Sequence, residues 1–158
     1  MRWRSPLLML CSMLMAAPLR AELIPCPDLA TARQVGACPA EEELRYTFTG
    51  FCSDNARLYN WNEEQVCSDY TLYRRLKNVA LWEAEGGFQG YLSCELAPER
   101  IRTAQPSRLS VTKVGKMTRI ACEYAHGVVF AHRTKAACRI EGSGECGQDA
   151  AACRVRCD

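Results

Sequence analysis

Apolar residues recur at two periods along this chain, and the change of period separates a helical stretch from a sheet-forming one. From Glu63 onward, Val66, Tyr70, Tyr73, Leu76 and Ala80 stand three or four residues apart. Arg74, Arg75 and Lys77 fall near the far end, where cations suit the helix dipole. This predicts the longest helix, with Ser68 or Asp69 as a competing later cap. Ahead of it, Tyr46, Phe48, Gly50 and Cys52 alternate with Thr47 and Thr49, which predicts a short strand ending at the turn Ser53-Asp54-Asn55. Nearer the start, Cys26-Pro27-Asp28 and Cys38-Pro39 are each followed by acid and then by Arg33 or Arg45. Proline at a first helical position and acids in a first turn predict two short helical turns there.

After Asn78 the period becomes two. Val79, Leu81 and Glu83 alternate with Ala80, Trp82 and Ala84, and Gly86-Gly87 supplies a reversal. Phe88, Gly90, Leu92, Cys94 and Leu96 then line one face of a hairpin. Residues 98–106 read as a loop. Leu109 to Lys113, Met117 to Tyr124, Val128 to Thr134 and Ala137 to Ile140 follow as strands separated by short turns. Connections this short leave no room for parallel crossovers, so the fold class is α+β: an antiparallel meander over about residues 79–141, with short N-terminal helices and one longer helix. The tail from Glu141 to Asp158, with Gly142, Gly144 and Gly147, needs bridges to be ordered.

Those bridges are foreshadowed by eleven cysteines behind an N-terminus that reads as a secretory signal. Arg2 and Arg4 precede an uncharged, mostly apolar run from Leu7 to Ala17, and Leu19-Arg20-Ala21 ends in a small residue where cleavage can occur. The run is too short to cross a bilayer. Cys11 lies inside it without the small residue before it that a lipoprotein site needs. Residues 1–21 are expected to leave, giving a single disulfide-rich domain over 22–158 with no transmembrane segment, located in the periplasm or secreted. It keeps Cys26, Cys38, Cys52, Cys67, Cys94, Cys122, Cys138, Cys146, Cys153 and Cys157, an even set expected to be fully paired. Ten cysteines allow about 945 pairings, so the connectivity stays open.

Without the signal, the chain holds 17 basic and 18 acidic residues, which disfavours a nucleic-acid binder. The charge is segregated: residues 22–98 carry 6 basic and 12 acidic side chains, and residues 99–141 carry 9 and 3. Two solvated faces that neutralise each other on folding are one reading. The other is a basic docking stripe of Arg100, Arg102, Arg108, Lys113, Lys116 and Arg119 for an acidic partner or an anionic envelope component. Aromatic residues are concentrated too, at Tyr46, Phe48, Phe51, Tyr59, Trp61, Tyr70 and Tyr73. With Asn60, Asn62 and Glu63 nearby they form either a small core or a surface for sugar or peptide, in which Tyr59, Trp61 and Tyr70 are the binding candidates.

The run Cys122-Glu123-Tyr124, then Val128, Arg133 and Cys138, preceded by Cys26-Pro27 soon after the signal, resembles small uncharacterised cysteine-containing periplasmic proteins of proteobacteria. The resemblance implies a periplasmic setting and a β-rich fold, and carries over no functional residue. This chain departs from it in having six or more additional cysteines and the aromatic stretch around Trp61.

No catalytic residue is assigned. His126 sits in an Ala-His-Gly turn and His132 on a strand, and neither Ser93 nor Ser110 lies in a nucleophile elbow that would pair it with a histidine and Glu123 or Asp69. Glu83 and Glu95 are one of many possible carboxylate pairs. There is no Cys-x-x-Cys; Cys153 and Cys157 bracket Arg154-Val155-Arg156 and read as a bridge holding the C-terminus, with a reactive thiol pair as the alternative. The cysteine spacings match no zinc motif, and no cofactor is implied. The leading expectation is a non-catalytic interaction protein, such as an inhibitor or an envelope-assembly accessory subunit, whose partner is an envelope or extracellular protein or glycan. A hydrolase of envelope polymers comes second and a thiol oxidoreductase third.

Overall fold

Two antiparallel sheets and a pair of packed helices make up the computed structural model, which describes residues 21–54, 66–147 and 152–158. The α+β class follows the sequence. The strands are β1 (Glu22–Pro25), β2 (Arg33–Gln34), β3 (Val79–Ala84), β4 (Phe88–Ser93), β5 (Pro106–Val114), β6 (Met117–Tyr124), β7 (Val129–Thr134), β8 (Cys138–Glu141) and β9 (Arg154–Cys157). The helices are α1 (Glu41–Cys52), α2 (Tyr70–Lys77) and α3 (Pro98–Arg102), with a 3-10 turn at Leu29–Thr31 and two more in the tight turns Glu85–Gly87 and Ala125–Gly127.

The hairpin β3–β4 forms as its alternation predicts. Gly86 and Gly87 both take positive φ, at 69° and 72°, a conformation that costs a side chain strain. Ala80, Trp82, Phe88 and Leu92 are buried on the inner face. The next segment departs from expectation. Residues 98–102 are a helix rather than a loop: Pro98 opens it, Glu99 lies in the first turn, Arg100 and Arg102 lie in the last, and Ile101 is fully buried. This helix carries the chain past its own hairpin, so β5 starts at the far edge and β6 and β7 return inward until β7 pairs with β4. The six-stranded order is therefore β2-β3-β4-β7-β6-β5.

β8 does not extend that sheet. It joins β9 and β1 in a second, three-stranded sheet of order β1-β9-β8, so the two ends of the described chain are paired. Val155 is wholly buried between Ile24 and Ile140 in register across the three strands. Neither β1 nor β9 is evident from the sequence, because each is a four-residue strand whose apolar residues gain meaning only opposite the other. The core lies between the inner face of the large sheet and a second layer of the small sheet, α3 and the Leu29–Thr31 turn. Phe88, Phe130, Ile120, Val128, Leu29, Ile101 and Val155 are the largest of its side chains wholly removed from solvent.

All ten cysteines among the described residues pair: Cys26–Cys122, Cys38–Cys94, Cys52–Cys67, Cys138–Cys157 and Cys146–Cys153. Cys153 and Cys157 do hold the C-terminus, but through separate partners. Cys26–Cys122 fastens the end of β1 to β6 across the core, and Tyr124 reinforces the joint by donating its hydroxyl to the Pro27 carbonyl at 2.7 Å. Burial, with the charge of Asp28, pushes that phenol well above its usual pKa, so it stays a donor.

The strand expected at 46–52 is the second half of α1, and the second Cys-Pro turn grows into a twelve-residue helix. Glu41, Glu42 and Glu43 occupy its first turn. Leu44, Phe48 and Phe51 then form a stripe at helical spacing, and the Phe48 and Phe51 rings lie 5.1 and 5.5 Å from that of Tyr73 on α2. The apparent alternation misleads because Tyr46, one of its members, points to solvent at 82% exposure. Residues 66–68 are helical as expected, but the helix breaks at Asp69, whose side chain accepts from the Thr71 N–H at 2.8 Å and starts α2 afresh at Tyr70. It ends at Asn78, leaving Ala80 to β3. The start expected at Glu63 lies outside the described residues.

Candidate binding surface

Sheet register decides which of the basic residues meet. Tyr124 and Val128 flank the turn at Ala125–Gly127, and counting outward along β6 and β7 brings Arg119 directly opposite Arg133. Both lie on the outer face of the large sheet, opposite the face that carries the core residues Ile120, Cys122 and Phe130. Lys113 pairs with Thr118 on the inner face of the same end. Lys116 sits in the two-residue β5–β6 turn, and Lys135 follows the end of β7. These five cations gather at one corner of the sheet.

Like charges directly opposite on adjacent strands destabilise a sheet. A lysine on an edge strand such as β5 guards against unwanted pairing, but Arg119 and Arg133 are on interior strands, where that explanation does not apply. Many charges elsewhere are engaged. Arg33 pairs with Glu83, Arg45 with Glu41, Arg74 with Glu41 and Glu95, Arg139 with Asp158, and Arg154 and Arg156 with Glu141. None of the five corner cations forms an ion pair with another described residue. Nor does any ion pair between described residues join an acid of 22–98 to a base of 99–141. Folding brings Glu22, Glu83 and Glu85 to the same end of the sheet as the corner without pairing any of them with its cations among the described residues.

The stripe expected from sequence is thus only half assembled. Lys113, Lys116 and Arg119 share the corner, joined by Arg133 and Lys135, which the sequence does not group with them. Arg108 lies toward the other end of β5, opposite Glu123. Arg100 is exposed on α3. Arg102 is bound into the fold, since its Nε donates to the Ala32 carbonyl at 3.2 Å and its guanidinium lies over the Trp82 ring.

The aromatic candidates fare differently. Tyr59 and Trp61 lie outside the described residues. Tyr70 is held in place, its ring against Phe48 and Tyr73, its hydroxyl donating to Glu41 at 2.9 Å, and Arg45 over its face at 4.6 Å. The Tyr70 hydroxyl, with Arg74 and Arg45, holds the Glu41 carboxyl below its usual pKa. Tyr70 therefore joins α1 to α2.

A cleft of about 400 Å³ between β1 and the β3–β4 turn contains His132, Glu22, Asp28 and Glu85. His132 packs on Phe88, and its Nδ1 lies 3.4 Å from the Gly87 carbonyl oxygen. Asp28 caps the Leu29–Thr31 turn and Glu85 accepts from the Thr31 hydroxyl. The register places Ser93, Ser110 and Glu123 on the sheet face opposite to His132, and Asp69 is the cap of α2, so the triads suggested by the sequence do not assemble. Glu83 and Glu95 stand at opposite ends of the first hairpin, each paired with an arginine. No group of three or more metal-ligating side chains occurs among the described residues, and no helix among them is long and apolar enough to cross a membrane.

Compared with models of protein families, with curated proteins and with solved structures, the chain matches none.

Proposed function

We propose that this is a non-catalytic interaction protein, exported and processed after residue 21, that docks an anionic partner on the basic corner of β5, β6 and β7. Its five disulfides are consistent with an oxidising compartment such as the periplasm or the extracellular space. The observation that carries the reading is the opposed Arg119–Arg133 pair amid three lysines that form no ion pair with a described residue, in a fold that pairs many of its charges elsewhere. A partner supplying negative charge removes the repulsion, and bridges locked across the core limit the entropy lost on binding.

The test uses sulfated dextran as a soluble polyanion. Residues 22–158 are close to neutral overall, so binding at low salt has to come from a local patch. Arg119→Gln with Arg133→Gln should weaken binding by about 1 kcal/mol per charge, roughly fivefold each. Arg75→Gln with Arg100→Gln, exposed on α2 and α3, should leave it nearly unchanged. Equal losses in both double variants would remove the corner as the docking surface.

A further inference from the structure

The corner's charges do not share a face. Arg119 and Arg133 project from the outer face of the sheet, Lys113 from the inner face, and Lys116 and Lys135 from successive turns at the same end. A ligand in a groove, or a strand added to the edge of β5 beyond Leu109, where the 144–146 segment no longer pairs with it, would meet the cations of one side. A flat anionic surface lying across the ends of the strands meets all of them. At the tip, Val114 is 61% exposed and pairs with half-buried Met117, so apolar side chains sit between Lys113 and Lys116.

Resting on the docking reading above, we propose that the anionic partner is a phospholipid bilayer, approached end-on by the β5–β6 turn. The lysines and arginines lie at the headgroups, and Val114 and Met117 enter the boundary between headgroups and acyl chains. Each cation near an anionic membrane contributes about fivefold in partitioning, so five together act on the order of a thousandfold. Of the acids that the fold brings to this end, Glu83 is paired with Arg33 and Asp158 with Arg139, while Glu85 accepts from the neutral Thr31 hydroxyl and keeps its charge, so the five cations are offset in part but still outnumber it. Glu22, exposed, lines the cleft with Thr134 and Ala136.

Sedimentation with vesicles tests this, using protein recovered after export, with its bridges intact and residues 1–21 removed. It should bind vesicles of equimolar phosphatidylcholine and phosphatidylglycerol, ignore vesicles of phosphatidylcholine alone, and be released by added salt. Lys113→Gln with Lys116→Gln should lower partitioning roughly 25-fold, about fivefold for each charge. Val114→Asp should weaken it further, whereas Arg75→Gln with Arg100→Gln should leave it unchanged. All these positions are exposed, and circular dichroism verifies that the variants fold. Binding to sulfated dextran without binding to the anionic vesicles overturns the bilayer inference and leaves the docking reading standing. Binding to neither overturns both. Vesicle binding that the corner variants do not reduce also overturns the inference.

Discussion

Replacing both Cys26 and Cys122 by alanine should lower the melting temperature by about 15 °C or more. The bridge spans 96 residues, and in the chain-entropy account a loop of that length constrains the unfolded chain by roughly 4.7 kcal/mol. That is a large part of the ~5–15 kcal/mol by which a domain is ordinarily stable. Both cysteines are buried, so the substitution also leaves a small void at the junction of the two sheets. Cys52–Cys67, 15 residues apart and joining the α1 region to residues near α2, should cost less, about 3 kcal/mol on the same account. Thermal melts of the two double variants check the order. A smaller loss for Cys26–Cys122 would mean that β1 and β6 are not the joint described.

The second large effect is expected at Gly90. A Cβ added there would lie 2.4 Å from the Val129 carbonyl oxygen, which is backbone and cannot rotate away. Gly90 stands on β4 where that strand meets β7, the seam between the first hairpin and the β5–β6–β7 meander. Gly90→Ala should destabilise by about 3 kcal/mol by prising the seam apart. Gly50 gives the contrast. It lies inside α1 with nothing within 4 Å of an added Cβ, so Gly50→Ala should stabilise by about 0.5–1 kcal/mol. Chemical denaturation of both variants measures the two signs. A Gly90→Ala protein within about 0.5 kcal/mol of wild type would contradict the sheet order.

The sequence shows the fold wherever neighbours in the chain are also neighbours in space. The hairpin at Val79–Ser93 is legible because alternation and a glycine pair agree, and the β6–β7 pair because a tight turn fixes its register. Residues 46–52 mislead because apolar residues two apart and four apart coincide there; Glu41, Glu42 and Glu43 just upstream are the signal for a helix. The β4–β7 seam and the β1–β9 pairing are long-range and depend on burial that no local pattern encodes. The corner is half legible for the same reason. Lys113, Lys116 and Arg119 stand out by composition, whereas Arg133 is recovered only by counting symmetrically out from Ala125–Gly127, and Arg102 is lost to a partner 70 residues away.

Whether the corner is the docking surface is most directly read by nuclear magnetic resonance, following each backbone amide while sulfated dextran is added to the exported protein. Shifts should concentrate at residues 113–119 and 133–135, fade with salt, and spare α1, α2 and the cleft beside His132. Shifts centred on the Tyr70 cluster or on His132, with the corner silent, would contradict the account.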